Sequence, residues 1–195
     1  MTNLLIVYYS QTGHNFEMAK WAEDEAKSKG VNIRLRKVRE LADKANMNPA
    51  WEKYLEDSQD IEEASSEDLE WADGILISTP TRFGIVPAQM KLFIDSQGGL
   101  WAEGKLTNKV VSAMTSAQNN NGGQEMTLMS IYASMMHWGA IIVPPGYTDT
   151  SIFKAGGNPY GTSGTATNEG FANDLEDAVR HQVSRLIEIT KKFNE

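Results

Sequence analysis

Leu4-Leu5-Ile6-Val7-Tyr8-Tyr9-Ser10-Gln11-Thr12-Gly13-His14-Asn15 is the stretch on which the reading of this chain turns. Six consecutive apolar residues rich in β-formers suit a strand covered on both faces inside a parallel sheet. A polar turn with a glycine follows. A helical pattern then runs from about His14 to Ser28, with Phe16, Ala19, Trp21, Ala22 and Ala26 on its apolar face and Gly30 as its stop. A strand, a short loop and a helix in that order open a βαβ unit.

The same alternation continues outward from that stretch. Val31 to Val38 reads as a second strand at an edge, Gly74 to Ser78 as a third, Val110 to Met114 as a fourth, and Ala140 to Val143 as a fifth, stopped by Pro144-Pro145-Gly146. Helical spacing appears over residues 88–96 (Met90, Phe93, Ile94) and in a Met-rich segment from Glu125 to Met136. A last helix is expected from about Glu169 to Phe193, striped by Leu175, Val179, Val183, Leu186 and Ile189. Residues 40–70 are polar with scattered helix formers and predict short helices on a long connection. Residues 148–168, with four glycines and many Ser, Thr and Asn, predict a surface loop. No internal repeat or linker interrupts the pattern, so the expectation is one doubly wound α/β domain over residues 1–195 with right-handed crossovers.

Composition narrows the chemistry. The 195 residues include no cysteine, which excludes disulfides, thiolate metal sites and cysteine nucleophiles and fits a reducing, cytoplasmic setting. A net charge of −8 disfavours a nucleic-acid backbone as partner. No apolar run approaches the roughly 20 residues of a membrane span, and the first is too short for a signal peptide. Much of the acid lies in Glu56–Glu70 and reads as a solvated surface segment. The histidines, at 14, 137 and 181, are too dispersed to suggest a metal centre.

In such a sheet, ligands bind at the strand carboxyl ends near the reversal of strand order. Three unusual loops fall there. Ser10, Gln11, Thr12, Gly13, His14 and Asn15 bring hydroxyls, an amide and backbone N–H groups to a helix N-terminus, a setting that holds a phosphate without lysine; an ordinary helix cap is the plainer reading. The loop matches neither G-x-x-x-x-G-K-[ST] nor G-x-G-x-x-G, which disfavours nucleoside triphosphates and a dinucleotide-binding domain. Thr79, Pro80, Thr81, Arg82, Phe83 and Gly84 form a stiffened turn with room for a planar ligand. Ser116, Ala117, Gln118, Asn119, Asn120, Asn121 and Gly122 form a small, amide-rich loop suited to wrapping a flat ring.

The first loop is similar to the FMN-phosphate loop of flavodoxins. STPTRFG (78–84), GGLWAEGKL (98–106), GGQE (122–125), HWGAIIVPPGY (137–147) and NPYG (158–161), in that order, resemble the WrbA family of flavodoxin-like NAD(P)H:quinone oxidoreductases. The resemblance implies a five-stranded sheet in the order 2-1-3-4-5. It implies FMN held by the three loops and by His137, with Thr12 near the nicotinamide nucleotide and Trp101 at the quinone pocket. His137 and Tyr147 become candidates for proton supply to the reduced quinone, and a homo-oligomer, a tetramer, is expected, with Trp101 reaching a neighbour. Thr12 replaces an aromatic usual in the family, the third loop is richer in Asn, and Trp138 stands where a second histidine is common. The alternative from another class is a flavodoxin-type electron carrier, which has no need of the GGLW segment or of the long 147–168 connection.

Overall fold

Alternation within a single strand builds both layers of the core. In β1 (Asn3–Tyr8), Leu4, Ile6 and Tyr8 point to one face of the sheet and Leu5 and Val7 to the other, and all five are fully buried in the computed structural model, which describes residues 1–43, 45 and 47–194. Helix α1 (His14–Ser28) covers the first face with Met18, Ala19, Ala22 and Ala26, beside α8 (Glu176–Asn194), which contributes Val179, Val183 and Leu186. The second face is covered by α3 (Ser66–Trp71) through Leu69, by α4 (Ala88–Asp95) through Met90 and Ile94, and by α6 (Gln124–His137) through Leu128, Ile131, Tyr132 and Met135. Each of these large side chains contributes about 1.5–3 kcal/mol through burial.

The parallel sheet runs β2 (Asn32–Lys37), β1, β3 (Gly74–Pro80), β4 (Val110–Ala117). The fifth position is shared by two strands. β5 (Ile141–Ile142) pairs with the start of β4, and β6 (Ser163–Thr167) pairs with its end, Thr115 to Ala117. The break has a simple cause. Val143 N–H still donates to Val111 O at 2.8 Å, but Pro144 and Pro145 have no N–H to continue the ladder. The chain loops out, forms α7 (Thr150–Lys154), and returns as β6, which turns antiparallel into β7 (Gly170–Phe171). Residues 148–168 are thus more than the expected surface loop, and the last helix starts at Glu176, later than its pattern suggested.

The polar connection holds α2 (Pro49–Asp57) and α3, and the GGLW segment forms the short helix α5 (Gly98–Ala102). In the acidic segment Asp68 departs from the solvated reading. It is buried, completes the capping box of α3 by accepting from the N–H of Ser65, and accepts from Arg34 at 3.0 Å and Arg36 at 3.2 Å. Among the described residues, no helix is long and apolar enough to cross a membrane.

Candidate functional site

Loops from the carboxyl ends of β1, β3 and β4 close on one cleft of about 560 Å³. It lies where the chain, having placed β2 on one side of β1, crosses back to place β3 on the other.

Ser10, Gln11, Thr12, His14 and Asn15 line the first wall. Gly13 is the N-cap of α1 in a left-handed conformation, with no side chain capping the helix; the first intrahelical bond runs from Glu17 N–H to Gly13 O at 2.8 Å. The preceding N–H groups have no intrahelical acceptor. Helix α6 starts likewise at Gly123, again without a side-chain cap. By contrast α2, α3 and α7 are capped by Asn48, Ser65 and Asp149. The N-terminus of α1 therefore opens at the cleft with unspent donors, where partial positive charge gathers, while the N-terminus of α6 lines the neighbouring depression. Ser10 Oγ accepts from Gly13 N–H at 3.1 Å and keeps its own proton to donate. The imidazole of His14 bridges Thr12 Oγ1 (3.1 Å) and the Thr167 carbonyl (2.9 Å), tying the loop to the end of β6. Asn15 differs from its expected role. Its buried amide donates to Ser78 Oγ at 3.1 Å and accepts from Ser116 Oγ at 2.6 Å, so it joins β3 to β4 and leaves only its backbone N–H for a ligand.

Pro80, Thr81, Arg82 and Phe83 form the second wall. Arg82 N–H donates to Ile85 O at 2.9 Å and Ile85 N–H returns to Arg82 O at 3.3 Å, with φ of 52° at Phe83 and 86° at Gly84. Positive φ at both central positions makes this a type I′ turn. A phenylalanine in the left-handed region is strained by about 1 kcal/mol or more. No packing offsets that strain, because the ring is fully exposed. The turn is anchored on α6, since Thr81 Oγ1 accepts from Gly84 N–H (3.2 Å) and from Thr127 Oγ1 (2.8 Å). A Cβ at Gly123 would lie 2.6 Å from Gly84 Cα, so only glycine allows this approach. Arg82 reaches Gln11 Oε1 at 3.1 Å, joining the first two loops. Thr79 lies buried beneath, its carbonyl accepting from Thr115 Oγ1 at 2.7 Å and its own hydroxyl unpartnered.

Ser116, Ala117, Gln118, Asn119 and Gly122 form the third wall. Asn119 O accepts from Gly122 N–H (3.0 Å) and Gln124 Nε2 (2.9 Å), which fixes this loop. Asn120 and Asn121 face a neighbouring depression instead, where Asn120 accepts from Thr165 Oγ1 at 3.0 Å. Behind the first loop, Tyr9 donates to Glu40 at 2.9 Å; burial first, then the Glu40 charge, push the phenol well above its usual range and keep it a neutral donor. Asn48 and Ala166 also line the cleft and were not expected. For Ala166 the available signal was the Thr-alternating SGTAT before the turn at Asn168-Glu169-Gly170.

Three further expected site residues, besides Asn120 and Asn121, do not reach this cleft within one chain. His137 closes α6 about 20 Å from its N-terminus, because the helix runs back along the sheet. Trp101, on α5, donates from Nε1 to the His137 carbonyl at 3.0 Å, and both side chains are exposed. Tyr147 stacks on Phe153 in the segment between β5 and β6, with centroids 5.3 Å apart.

A family model described as NADPH-dependent FMN reductase matches residues 3–152. A protein of Deinococcus radiodurans named NAD(P)H dehydrogenase (quinone) is 51% identical over 97% of this chain and 96% of its own length. One of the same name from Brucella anthropi is 39% identical with both chains fully covered. Among solved structures, a flavodoxin, WrbA-like protein from Agrobacterium tumefaciens superposes with a TM-score of 0.70 at 22% identity over 99% of each chain. A flavodoxin from the domain Archaea gives 0.60 at 16% identity over all of both chains, and these two likenesses speak to the fold alone.

Proposed function

The chain belongs to the NADPH-dependent FMN reductase family, and from that footing we propose that it is an FMN-dependent NAD(P)H:quinone oxidoreductase working at the three-loop cleft. The observation that carries the reading is the uncapped N-terminus of α1, at Gly13, opening beside the Ser10 hydroxyl on a cleft with no lysine among its described lining residues. Oriented N–H groups and the Ser10 hydroxyl suit a terminal phosphate. The turn at Arg82–Ile85 and the close approach at Gly123 suit a flat ring, and the volume suits a mononucleotide.

When bound, FMN supplies the redox chemistry, taking hydride from NAD(P)H and giving two electrons to a quinone. The protein's part is to hold and orient. Ser10, Thr12 and the backbone of residues 13–15 hold the phosphate; Arg82 and Gln11 brace the two loops; Phe83 presents an aromatic face at the mouth. Thr12 lies where the nicotinamide nucleotide enters. The two substrates use the same open side in turn.

The active unit is a homo-oligomer, and the WrbA resemblance argues for four copies. Met126, Met129 and Met136 lie exposed along α6, with Ile85, Leu92 and Trp101 also exposed, an apolar face suited to a second copy. Trp101 and His137, paired on that face, then complete a neighbour's pocket, with His137, Tyr147 or water supplying protons to the reduced quinone. Consumption of NAD(P)H and the absence of cysteine support a cytoplasmic place. An electron carrier is the weaker reading, because relatives at 51% and 39% identity are named as dehydrogenases. Steady-state NADH oxidation with benzoquinone tests the function: turnover requires added FMN and no protein partner. Turnover only through a second redox protein would favour the carrier.

A further inference from the structure

A second, larger cleft of about 800 Å³ opens beside the first. Its walls are the outer face of α1, the facing side of α2, and the β6–β7 turn at Thr167 and Asn168. Thr12, His14, Asn48, Gln118 and Ala166 line both clefts, so the two form one continuous trough. From His14 to Trp21 it follows α1 for about two turns, roughly 10 Å.

The lining has a particular chemistry. Phe16 and Trp21 offer half-buried aromatic surface, and Trp21 is braced by Phe171 with centroids 6.0 Å apart. Thr167 and Asn168 supply polar edges from the turn. Its two lysines are already engaged, Lys20 with Glu23 at 2.5 Å and Lys53 with Asp57 at 2.7 Å. Glu17 adds an exposed carboxylate, so the charges of Glu17 and Asp57 match those of Lys20 and Lys53. A flat, neutral heterocycle with a polar rim suits such a lining.

We infer that this trough between α1, α2 and the β6–β7 turn seats the adenosine half of the reductant, with the base on Trp21, and that its balanced charge selects the 2′-hydroxyl of NADH over the 2′-phosphate of NADPH. The inference rests on the reductase reading and goes beyond it by assigning the nucleotide and its seat. A 2′-phosphate would meet Glu17 and Asp57, with both described lysines committed to carboxylates.

The test uses the FMN-loaded protein. AMP, followed by tryptophan fluorescence, should bind and compete with NADH, while adenosine 2′,5′-bisphosphate should bind at least tenfold more weakly. The kcat/KM for NADH should exceed that for NADPH at least tenfold, and Asp57→Asn, which frees Lys53, should narrow the gap. The ratio of kcat/KM for NADH to that for reduced nicotinamide mononucleotide, which lacks adenosine, should fall at least tenfold in Trp21→Ala and recover in Trp21→Phe. Ala50→Trp, which fills the trough from an exposed position of α2, should lower the same ratio if Trp21→Ala does not fold. An unchanged ratio in the folded variants, or a preference for NADPH, overturns the inference. So does apoprotein that binds FAD as tightly as FMN and loses that affinity in Ala50→Trp, since the trough would then belong to the flavin. Absence of turnover with either reductant would count against the reductase reading instead, and the AMP titration would still report on the trough.

Discussion

Phe83 holds a left-handed backbone that glycine adopts without penalty, and its ring stands fully in water. The strain therefore belongs to the mouth of the cleft and not to the fold. Phe83→Gly should stabilise the apoprotein by about 1 kcal/mol, roughly 2–4 °C in Tm for a chain of this size, while lowering kcat/KM for quinone several-fold. Thermal unfolding beside steady-state kinetics checks both signs, and a less stable variant would mean that the ring packs against something in solution. Ser10 and Thr12 stand on the other wall. Replacing both by Ala removes the two hydroxyls proposed to donate to the FMN phosphate, each such bond worth about 1.5–3 kcal/mol. FMN affinity, read by flavin fluorescence titration, should fall at least tenfold with the circular dichroism unchanged. Full affinity in the double variant would put the phosphate elsewhere.

At the scale of elements, Asp68 shows how one side chain fastens two of them. It completes the capping box of α3 at Ser65 and takes both Arg34 and Arg36 from β2. Burial raises the affinity of its carboxyl for a proton, but the Ser65 N–H and hydroxyl, Arg36 and Arg34 outweigh that, and it titrates below the usual carboxylate range. A carboxyl depressed in the folded state contributes stability above its unfolded value, about pH 4, and loses it as the pH falls through the folded one. Asp68→Asn should therefore cost about 2 kcal/mol at neutral pH, and the gap to the parent should close as the pH drops below about 4. Urea unfolding across that range measures it; a gap independent of pH would leave the effect to hydrogen bonding alone. Asp68 was hidden in the sequence among exposed acids, whereas the strands β1, β3 and β4 were legible because both of their faces are apolar. β6 was not, because Ser-Gly-Thr-Ala-Thr has no apolar face and becomes a strand only by pairing with β4. The three loops were readable at strand ends, but the inward turn of the Asn15 amide and the outward turn of Asn120 depend on partners far away in sequence.

Trp101 and His137 lie at the far end of α6 from the cleft, so the role proposed for them requires a second copy of the chain. The proposed assembly through the exposed methionine face would supply it. Light scattering of the FMN-loaded protein should give a tetramer, and Trp101→Ala should raise KM for quinone about tenfold with FMN affinity kept. A fully active monomer would defeat this arrangement. The central claim is that one cleft over FMN is visited in turn by NAD(P)H and by quinone, and initial rates measured while both concentrations vary test it most directly. Alternate occupancy predicts parallel double-reciprocal lines, with each substrate inhibiting competitively against the other at high concentration. Lines that intersect, with NADH and quinone bound together, would contradict it.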